Sequence, residues 1–500
     1  MPHFPIETMP EAFVSTSATS QVVTLAVAAG MLRKLGSRLY TKNLSDTPEA
    51  IVRRNWYYIV KGYYPDALIA DRTALENKPA ADGSVFIISK KKRPIKLPGL
   101  TFRPRKGPAA LESDLPFAGG ARLSSTARAF LENMQPSRSR DGSVPRTLAK
   151  AQLEERLDAI IRNGGDTAAN QIRDDAKAIS KKLGLQEEYK KLDELIGRLL
   201  GTRDGNVVSP IASARVAGKP YDPDRITLFE TLFTELRNTA PSYRPAKAPS
   251  PQENANLSFF EAYFSNFIEG TEFEVEEAID VVFNGRIPQD RPEDAHDVLG
   301  TYRIAADRQA LSTPPQNFEH FIRLLCQRHH MIMESRPDKL PGRFKVKSNR
   351  AGSTVFVAPD LVLGTLEKGY GFYEGLETPL HKAVYMMFLI SEIHPFADGN
   401  GRTARIMMNA ELVAGGEQKI IIPIVYRNNY LSALKAMTHN ANPIPLIRML
   451  DFAQRYTQAV QWQEFDMARS ILNTTHAFMD ANEAEEEGVR LVLPRTYTAQ

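Results

Sequence analysis

The sequence predicts a mainly α-helical protein with an α/β module at its amino-terminal end and a helical connector behind it. Three observations carry this. Apolar residues recur at helical spacing across Leu148–Leu200 and again from Leu257 to about Arg455. Short runs at Ser37–Asn43 (SRLYTKN) and Ser84–Ser89 (SVFIIS) mark strands within the first hundred residues. The length, 500 residues, exceeds what one hydrophobic core organises, so several domains are expected.

Hydrophobic residues make up 42% and charged residues 24%, which excludes wholesale disorder. The single cysteine, Cys326, excludes a disulfide framework and a Cys-based zinc site. No run is apolar enough to span a bilayer, so no membrane partner is expected. Val22–Ala29 is not expected to act as a secretion signal, because Glu7 and Glu11 precede it where positive charge belongs and Arg33 and Lys34 follow without a cleavage site. A cytoplasmic protein is the expectation. Net charge is +4, unevenly spread: residues 1–150 hold 23 Lys and Arg against 12 Asp and Glu, a net of +11, leaving −7 for the rest. A basic front on an acidic body suggests a polyanion-facing module, although solvated surface charge would look the same.

Taken in order, residues 1–20 are expected to be loose. Residues 21–106 form the α/β module: a helix from Gln21, a break at Gly30, a second short helix to Gly36, then the Ser37–Asn43 strand, the local pattern of a helix-turn-helix with a wing. A helix at Pro48–Tyr58 and the Ser84–Ser89 strand follow. The most basic stretch holds Lys90, Lys91, Lys92, Arg93 and Lys96, then Arg103, Arg105 and Lys106 around a strand at Leu97–Phe102. It could grip phosphates or be a solvated hairpin. Residues 107–147, rich in Gly, Pro, Ser and Arg, read as linker. Residues 148–238 read as a helical connector broken at Gly164–Gly165 and Gly184, and 239–256, with four prolines, as an extended spacer. Residues 257–455 form the main helical domain, and 456–500 a C-terminal helix and tail. The pair His329–His330 has no ligand cluster at metal spacing and reads as helix surface.

The sharpest signal is His394-Pro395-Phe396-Ala397-Asp398-Gly399-Asn400-Gly401-Arg402-Thr403-Ala404-Arg405, after the apolar helical run His381–Ile393. Gly399-Asn400-Gly401 lets backbone N–H groups converge at a helix start, where the dipole favours anions. Arg402 and Arg405, at i and i+3, can clamp successive phosphates. Asp398 is a hard oxygen ligand suited to Mg²⁺ on a phosphate chain. His394 can lose a proton near neutral pH and act as a base. Each feature alone has a bland reading, a capping histidine or an ordinary turn. Together they describe nucleotidyl or phosphoryl transfer.

This run resembles the Fic-domain signature H-x-F-x-[DE]-G-N-G-R-x-x-R at every specified position, and the resemblance extends from about Ser258 to about Leu450. It implies a helical domain that moves AMP from ATP to a Ser, Thr or Tyr hydroxyl of a target protein or of itself. By the resemblance His394 is the base and Asp398 holds Mg²⁺. Asn400 and the glycine amides of Gly399 and Gly401 take the α-phosphate, Arg402 the β-phosphate and Arg405 the γ-phosphate. Doc-type relatives phosphorylate instead and carry a lysine-bearing loop. Gly399–Arg402 favour AMP transfer, with relatives using UTP or a choline-bearing nucleotide left open.

Upstream, Ser265-Asn266-Phe267-Ile268-Glu269-Gly270 ends an aromatic-rich helix, placed at 257–270. Fic proteins with an N-terminal inhibitory helix place such a motif there. The resemblance implies that Glu269, supported by Ser265, pairs with Arg405 and blocks the γ-phosphate site. Arg343–Pro359 reads as a hairpin whose turn, Arg350, Ala351, Gly352, Ser353 and Thr354, is the flap on which such enzymes lay a target strand. Asn429 and Tyr430 are candidates for the adenine pocket. The front module resembles, more diffusely, the winged-helix region of AbiEi-type antitoxins. Arg33, Lys34 and Arg38 on its second helix, with Lys91, Lys92 and Arg93, are then candidates for binding double-stranded DNA, and protein contact is the alternative use. The rival function is a DNA-binding regulator whose Fic region is nucleotide-responsive or dimerising, and a homodimer is a candidate assembly.

Overall fold

The computed structural model describes residues 8–139, 142–240 and 242–494. The chain divides between Gly218 and Lys219 into two units, each with its own core.

The first unit opens with strand β1 (Ala12–Val14), helix α1 (Ser20–Ala28) and strands β2 (Arg33–Gly36) and β3 (Leu39–Thr41), in an antiparallel sheet of order β1-β3-β2. Two expectations are corrected here. Residues 12–14, within the stretch expected to be loose, are paired, and Ala12 is fully buried. The second short helix is a strand: Gly30, at φ +71°, ends α1, and RKLG alternates so that Leu35 is buried beside exposed Lys34. The stretch MLRKLG satisfies both periods, and pairing with β3 decides for the strand. No second helix therefore holds Arg33, Lys34 and Arg38. The first two lie on β2, and Arg38 turns the hairpin at φ +58° with its guanidinium 5.7 Å from the Tyr63 ring centroid.

Helices α2 (Pro48–Arg54) and α3 (Trp56–Tyr63) replace one expected helix, and strand β4 (Leu68–Ile69), helix α4 (Asp71–Glu76) and strands β5 (Ser84–Ile88), β6 (Ile95–Leu97) and β7 (Leu100–Arg105) follow. With β8 (Leu115–Pro116) and β9 (Arg122–Leu123) they make a mixed sheet of order β6-β7-β5-β4-β9-β8, in which β5–β7 and β4–β9 are parallel. Helix α5 (Thr126–Asn133) lies in the stretch expected to be linker, yet Ala129, Phe130 and Leu131 are fully buried. Its Arg128, also fully buried, bonds Asp114 at 2.7 Å and Glu132 at 2.9 Å. Arginine and serine there signalled solvent, and the buried ion pairs invert that signal. Helices α6 (Lys150–Leu183), kinked at Gly165, α7 (Gln186–Leu199) and α8 (Pro210–Val216) complete the unit, with breaks at Gly165 and Gly184 as the sequence implies.

The second unit contains α9 (Pro223–Asn238), α10 (Pro251–Ile268), α11 (Val275–Phe283), α12 (Pro292–Ala306), α13 (Arg308–Leu311) and α14 (Phe318–Met333). The hairpin β10 (Arg350–Ala351) and β11 (Thr354–Val355) leads into α15 (Val362–Glu374), α16 (Pro379–Ile393), α17 (Asn400–Ala414), α18 (Arg427–Asn440), α19 (Ile444–Ala459), α20 (Phe465–Thr474) and α21 (Ala481–Glu487). Helix α16 is the central rod, buried from Ala383 to Ile390. Helix α10 starts six residues before the expected 257, inside the proline-rich stretch. Pro251 suits a first helical position, and Ser250 and Glu253 cap each other's backbone N–H groups. Its aromatic face packs Phe260 on Phe465 and Phe264 against Phe478, so the C-terminal segment covers it.

Candidate active site

Helix α16 stops at His394 because that residue takes the left-handed conformation (φ 53°, ψ 59°), turning the chain toward α17. Five residues later Gly399, at φ +70°, starts α17, and an added Cβ there would lie 2.6 Å from Met333 Sδ. Asn400, the first residue of α17, ties the loop to itself. Its Oδ1 accepts from the Phe396 N–H at 2.8 Å and its Nδ2 donates to the Phe396 carbonyl at 2.9 Å. Both ends of that amide are thus committed to the loop, while the first N–H groups of α17 have no partner within the helix.

The His394 ring stacks flat on Phe356, with centroids 3.8 Å apart. Its Nδ1 faces the Ser391 carbonyl at 3.3 Å. A carbonyl only accepts, so the proton sits on Nδ1 and Nε2 keeps a lone pair. Burial pushes the imidazole down to about 4, against the pull of the Ser391 carbonyl and with the Lys345 charge adding to it. The ring is therefore neutral near pH 7 and able to accept a proton.

Arg405 is buried and fully engaged. Its Nε donates to Ser265 Oγ at 2.9 Å, and Nη2 donates to the Ser265 carbonyl at 2.8 Å and to Glu269 Oε1 at 2.7 Å. Tyr430, also buried, sets its hydroxyl 3.5 Å from Nη1. Glu269 also sits over the start of α17: a Cβ added to Gly401 would lie 2.0 Å from its Oε1. Only glycine leaves room for that carboxylate.

Arg402 takes a different neighbourhood. Its Nη1 lies 2.6 Å from Asp297 Oδ2 and donates to Asn266 Oδ1 at 3.2 Å. Asp297 is fully buried and also paired with Arg336 at 2.8 Å, and Arg336 pairs in turn with Asp294 at 2.6 Å and Glu293 at 3.3 Å, so Arg402 is anchored in a network of ion pairs. Asp398 Oδ1 accepts from the Gly399 N–H at 2.6 Å and lies 3.8 Å from Arg402 Nη2, while the side chain stays 45% exposed. Among the described residues no group of three His, Cys, Asp or Glu is assembled to hold a metal. A divalent ion would take one oxygen from Asp398 and the rest from phosphate and water, the habit of Mg²⁺.

His394, Asp398, Gly399, Asn400, Gly401, Arg402, Arg405, Ser265, Glu269 and Tyr430 are thus gathered around one helix start. Asn429 is not: it is exposed and lines a cavity of about 540 Å³ with Tyr426, Ser432 and Phe452. The hairpin forms as expected, with Arg350 opposite Val355, Ala351 opposite Thr354, and Gly352 turning at φ +57°. Ser353 lies in that turn, and Thr354 Oγ1 is 3.0 Å from His439 Nε2.

His329 corrects its sequence reading. It is fully buried, stacked on Phe396 with centroids 3.6 Å apart. Its Nδ1 accepts from the Gly342 N–H at 2.9 Å, so Nε2 donates to the Asp398 carbonyl at 3.0 Å. Asn266, Asp297, Lys345, Asn349 and Phe356 were also missed. Their roles depend on contacts distant in sequence: Asn266 falls inside the Ser265–Gly270 motif and Lys345, Asn349 and Phe356 inside the Arg343–Pro359 hairpin, but none was given a role there.

Residues 321–412 match the family model described as the Fic/DOC family. The protein named "Protein adenylyltransferase Fic" of Drosophila persimilis is 33% identical over 94 residues, 19% of this chain and 18% of that protein. Its namesake in Drosophila willistoni is 30% identical over 118 residues, 23% of each chain. The chain thus spans about a fifth of these relatives' length. Among solved structures, Fic-1 (residues 134–508) from C. elegans aligns over 65% of this chain and 98% of that one, at 18% identity and TM-score 0.34. A Fic-domain signaling protein from Bacteroides thetaiotaomicron aligns over 48% and 99%, at 19% identity and TM-score 0.35. The matched residues run from α14 to α17 and include His394, the glycine-lined helix start and both arginines; the chain carries a Fic/DOC family domain.

Proposed function

We propose that the chain is a protein adenylyltransferase held in check by Glu269. The observation that carries this is the 2.7 Å pair between Glu269 and Arg405, set over Gly401 with a neutral imidazole in the adjoining loop. A carboxylate over helix N–H groups, paired with a buried guanidinium, occupies the kind of site that suits a terminal phosphate. In the reaction His394 Nε2 takes the proton of a protein hydroxyl. Its oxygen bonds to the α-phosphorus of ATP as the bond to the bridging α–β oxygen breaks, and pyrophosphate leaves. Arg405, freed from Glu269, and the α17 N–H groups bind the phosphate chain. Asp398 would hold Mg²⁺, which neutralises phosphate charge when bound. Preorganised charge and in-line placement supply most of the rate in such transfers.

The first unit supplies a second element of the reading. With Arg33, Lys34 and Arg38 placed on a hairpin, the polyanion-facing candidate is the exposed loop at Lys91, Lys92 and Arg93, a charge contact without a groove-entering helix. No described helix is long and apolar enough to cross a membrane.

ATP labelled on the α- or the γ-phosphate tests the reaction type. Glu269→Gly protein in a cell extract should pass the α-label to protein, and His394→Ala in the same background should pass none. Transfer of the γ-label alone would make the domain a kinase and overturn the reading.

A further inference from the structure

Lys345 is an unexplained charge beside the site. It is 3% exposed, and among the described residues no carboxylate lies within ion-pair distance. Such a lysine is costly to bury, so its contacts matter. Its Nζ lies 2.6 Å from Asn349 Oδ1 and 3.4 Å from the carbonyl of Ile393, the last residue of α16. Its backbone N–H donates to the Pro395 carbonyl at 2.9 Å. Asn349 then passes the link onward, its Nδ2 donating to the Phe396 carbonyl at 2.9 Å. The carbonyl of Asn349 accepts from the N–H of Phe356, the ring on which His394 stacks. The ammonium therefore ties the end of α16 to Asn349 at the root of the hairpin, and the Lys345 backbone N–H and the Asn349 amide hold the motif loop, around the residue forced into a left-handed conformation.

We propose that Lys345 is a positioning residue for His394: from the segment leading into the hairpin it fixes the backbone on both sides of the imidazole and sets a positive charge beside it. The inference rests on the reading of His394 as the base. A cation at a helix C-terminus is favoured by the dipole and by the orphan carbonyls, which offsets part of the burial cost. Strained left-handed residues persist only where surrounding contacts over-determine them. The charges facing His394 are Lys345, Glu269 and Asp398; the first disfavours the imidazolium and the other two favour it. The charge facing Lys345 is Arg225, itself paired with Glu392 at 2.9 Å. Burial and Arg225 bring the lysine down to about 7, so it is charged throughout the range in which His394 titrates. Removing it must then make His394 easier to protonate.

The test follows the His394 ring by NMR titration in the full chain, in the wild type, Lys345→Met and Lys345→Arg. In Lys345→Met the ring should titrate higher by about one pH unit, the size of one close buried charge. Lys345→Arg should leave it near the wild-type value. In a Glu269→Gly background, Lys345→Met should lower kcat roughly tenfold with KM for ATP within about twofold, the loosened placement of the imidazole outweighing its greater basicity. Lys345→Arg should recover most of that loss. Should Lys345→Met unfold, Lys345→Gln replaces it, keeping a donor and removing the charge. An unshifted His394 in the folded uncharged variant, or a shifted one in Lys345→Arg, overturns the proposal. If Glu269→Gly transfers no label, the adenylyltransferase reading fails, while the titration still decides what Lys345 does to His394.

Discussion

Glu269 and Arg405 are 136 residues apart in sequence and 2.7 Å apart in space, and that contact is the smallest unit on which the proposed function turns. The end of α10 holds both partners, Arg405 through Ser265 and Glu269 as its cap, while Tyr430 meets Arg405 from α18. A buried guanidinium with its carboxylate removed is left without a counter-charge, so it should bind phosphate more tightly. Gly399 is the other decisive residue. Alanine there meets both a left-handed backbone, costing roughly 1–2 kcal/mol, and the Met333 sulfur at 2.6 Å. Gly399→Ala should lower the thermal midpoint by several degrees and abolish transfer, measured by thermal scan and label incorporation. A stable, active Gly399→Ala would contradict the loop geometry. That these residues would meet at one helix start was legible in sequence, because His394 to Arg405 are contiguous and each type has few uses at such spacing. His329 was not legible: a histidine on an amphipathic helix reads as surface unless its partners, Gly342 and Asp398, are already placed.

At the scale of elements, three pieces meet at one point: the end of α10, the start of α17 and the hairpin root. The hairpin offers backbone groups, and its exposed Val355 needs no chemical role. Alanine at Arg350, Ser353 or Thr354 should change target labelling by less than about threefold, while proline at Val355, which removes an N–H, should cut it about tenfold. ATP binding by titration calorimetry should stay unchanged in all four. Equal effects of alanine and proline would mean that side chains dock the target. The sequence read the long helices and this hairpin correctly because period and turn residues agree there. It misread MLRKLG, where two periods fit, and α5, where buried ion pairs imitate a polar linker. It started α10 late because proline, a breaker within helices, is a good first residue.

For the whole molecule, the two units have separate cores, and the site lies within the second. Residues 219–500 should fold alone and retain transfer in the Glu269→Gly form; a soluble but inactive fragment would assign part of the activity to the first unit. The second unit also carries a pH signature in Glu411, 4% exposed, whose Oε2 accepts from the Tyr373 hydroxyl at 2.9 Å. Burial pushes its carboxyl up to about 7. The folded form thus holds its proton more tightly than the unfolded chain. This stability is fully present below pH 4.5, falls as pH rises, and is lost above about 7. The loss amounts to about 3 kcal/mol. Glu411→Gln should therefore melt above the wild type at pH 8, with the gap closing near pH 5. A variant that melts lower at both values would contradict this.

The initial rate of AMP incorporation from α-labelled ATP, compared between wild type and Glu269→Gly at equal concentration, tests the central contact most directly. The geometry predicts a rise of at least about tenfold in the variant, the scale of one phosphate–arginine contact regained, and its disappearance when His394 is also alanine. Equal rates in wild type and Glu269→Gly, or a rise that survives loss of His394, would contradict it.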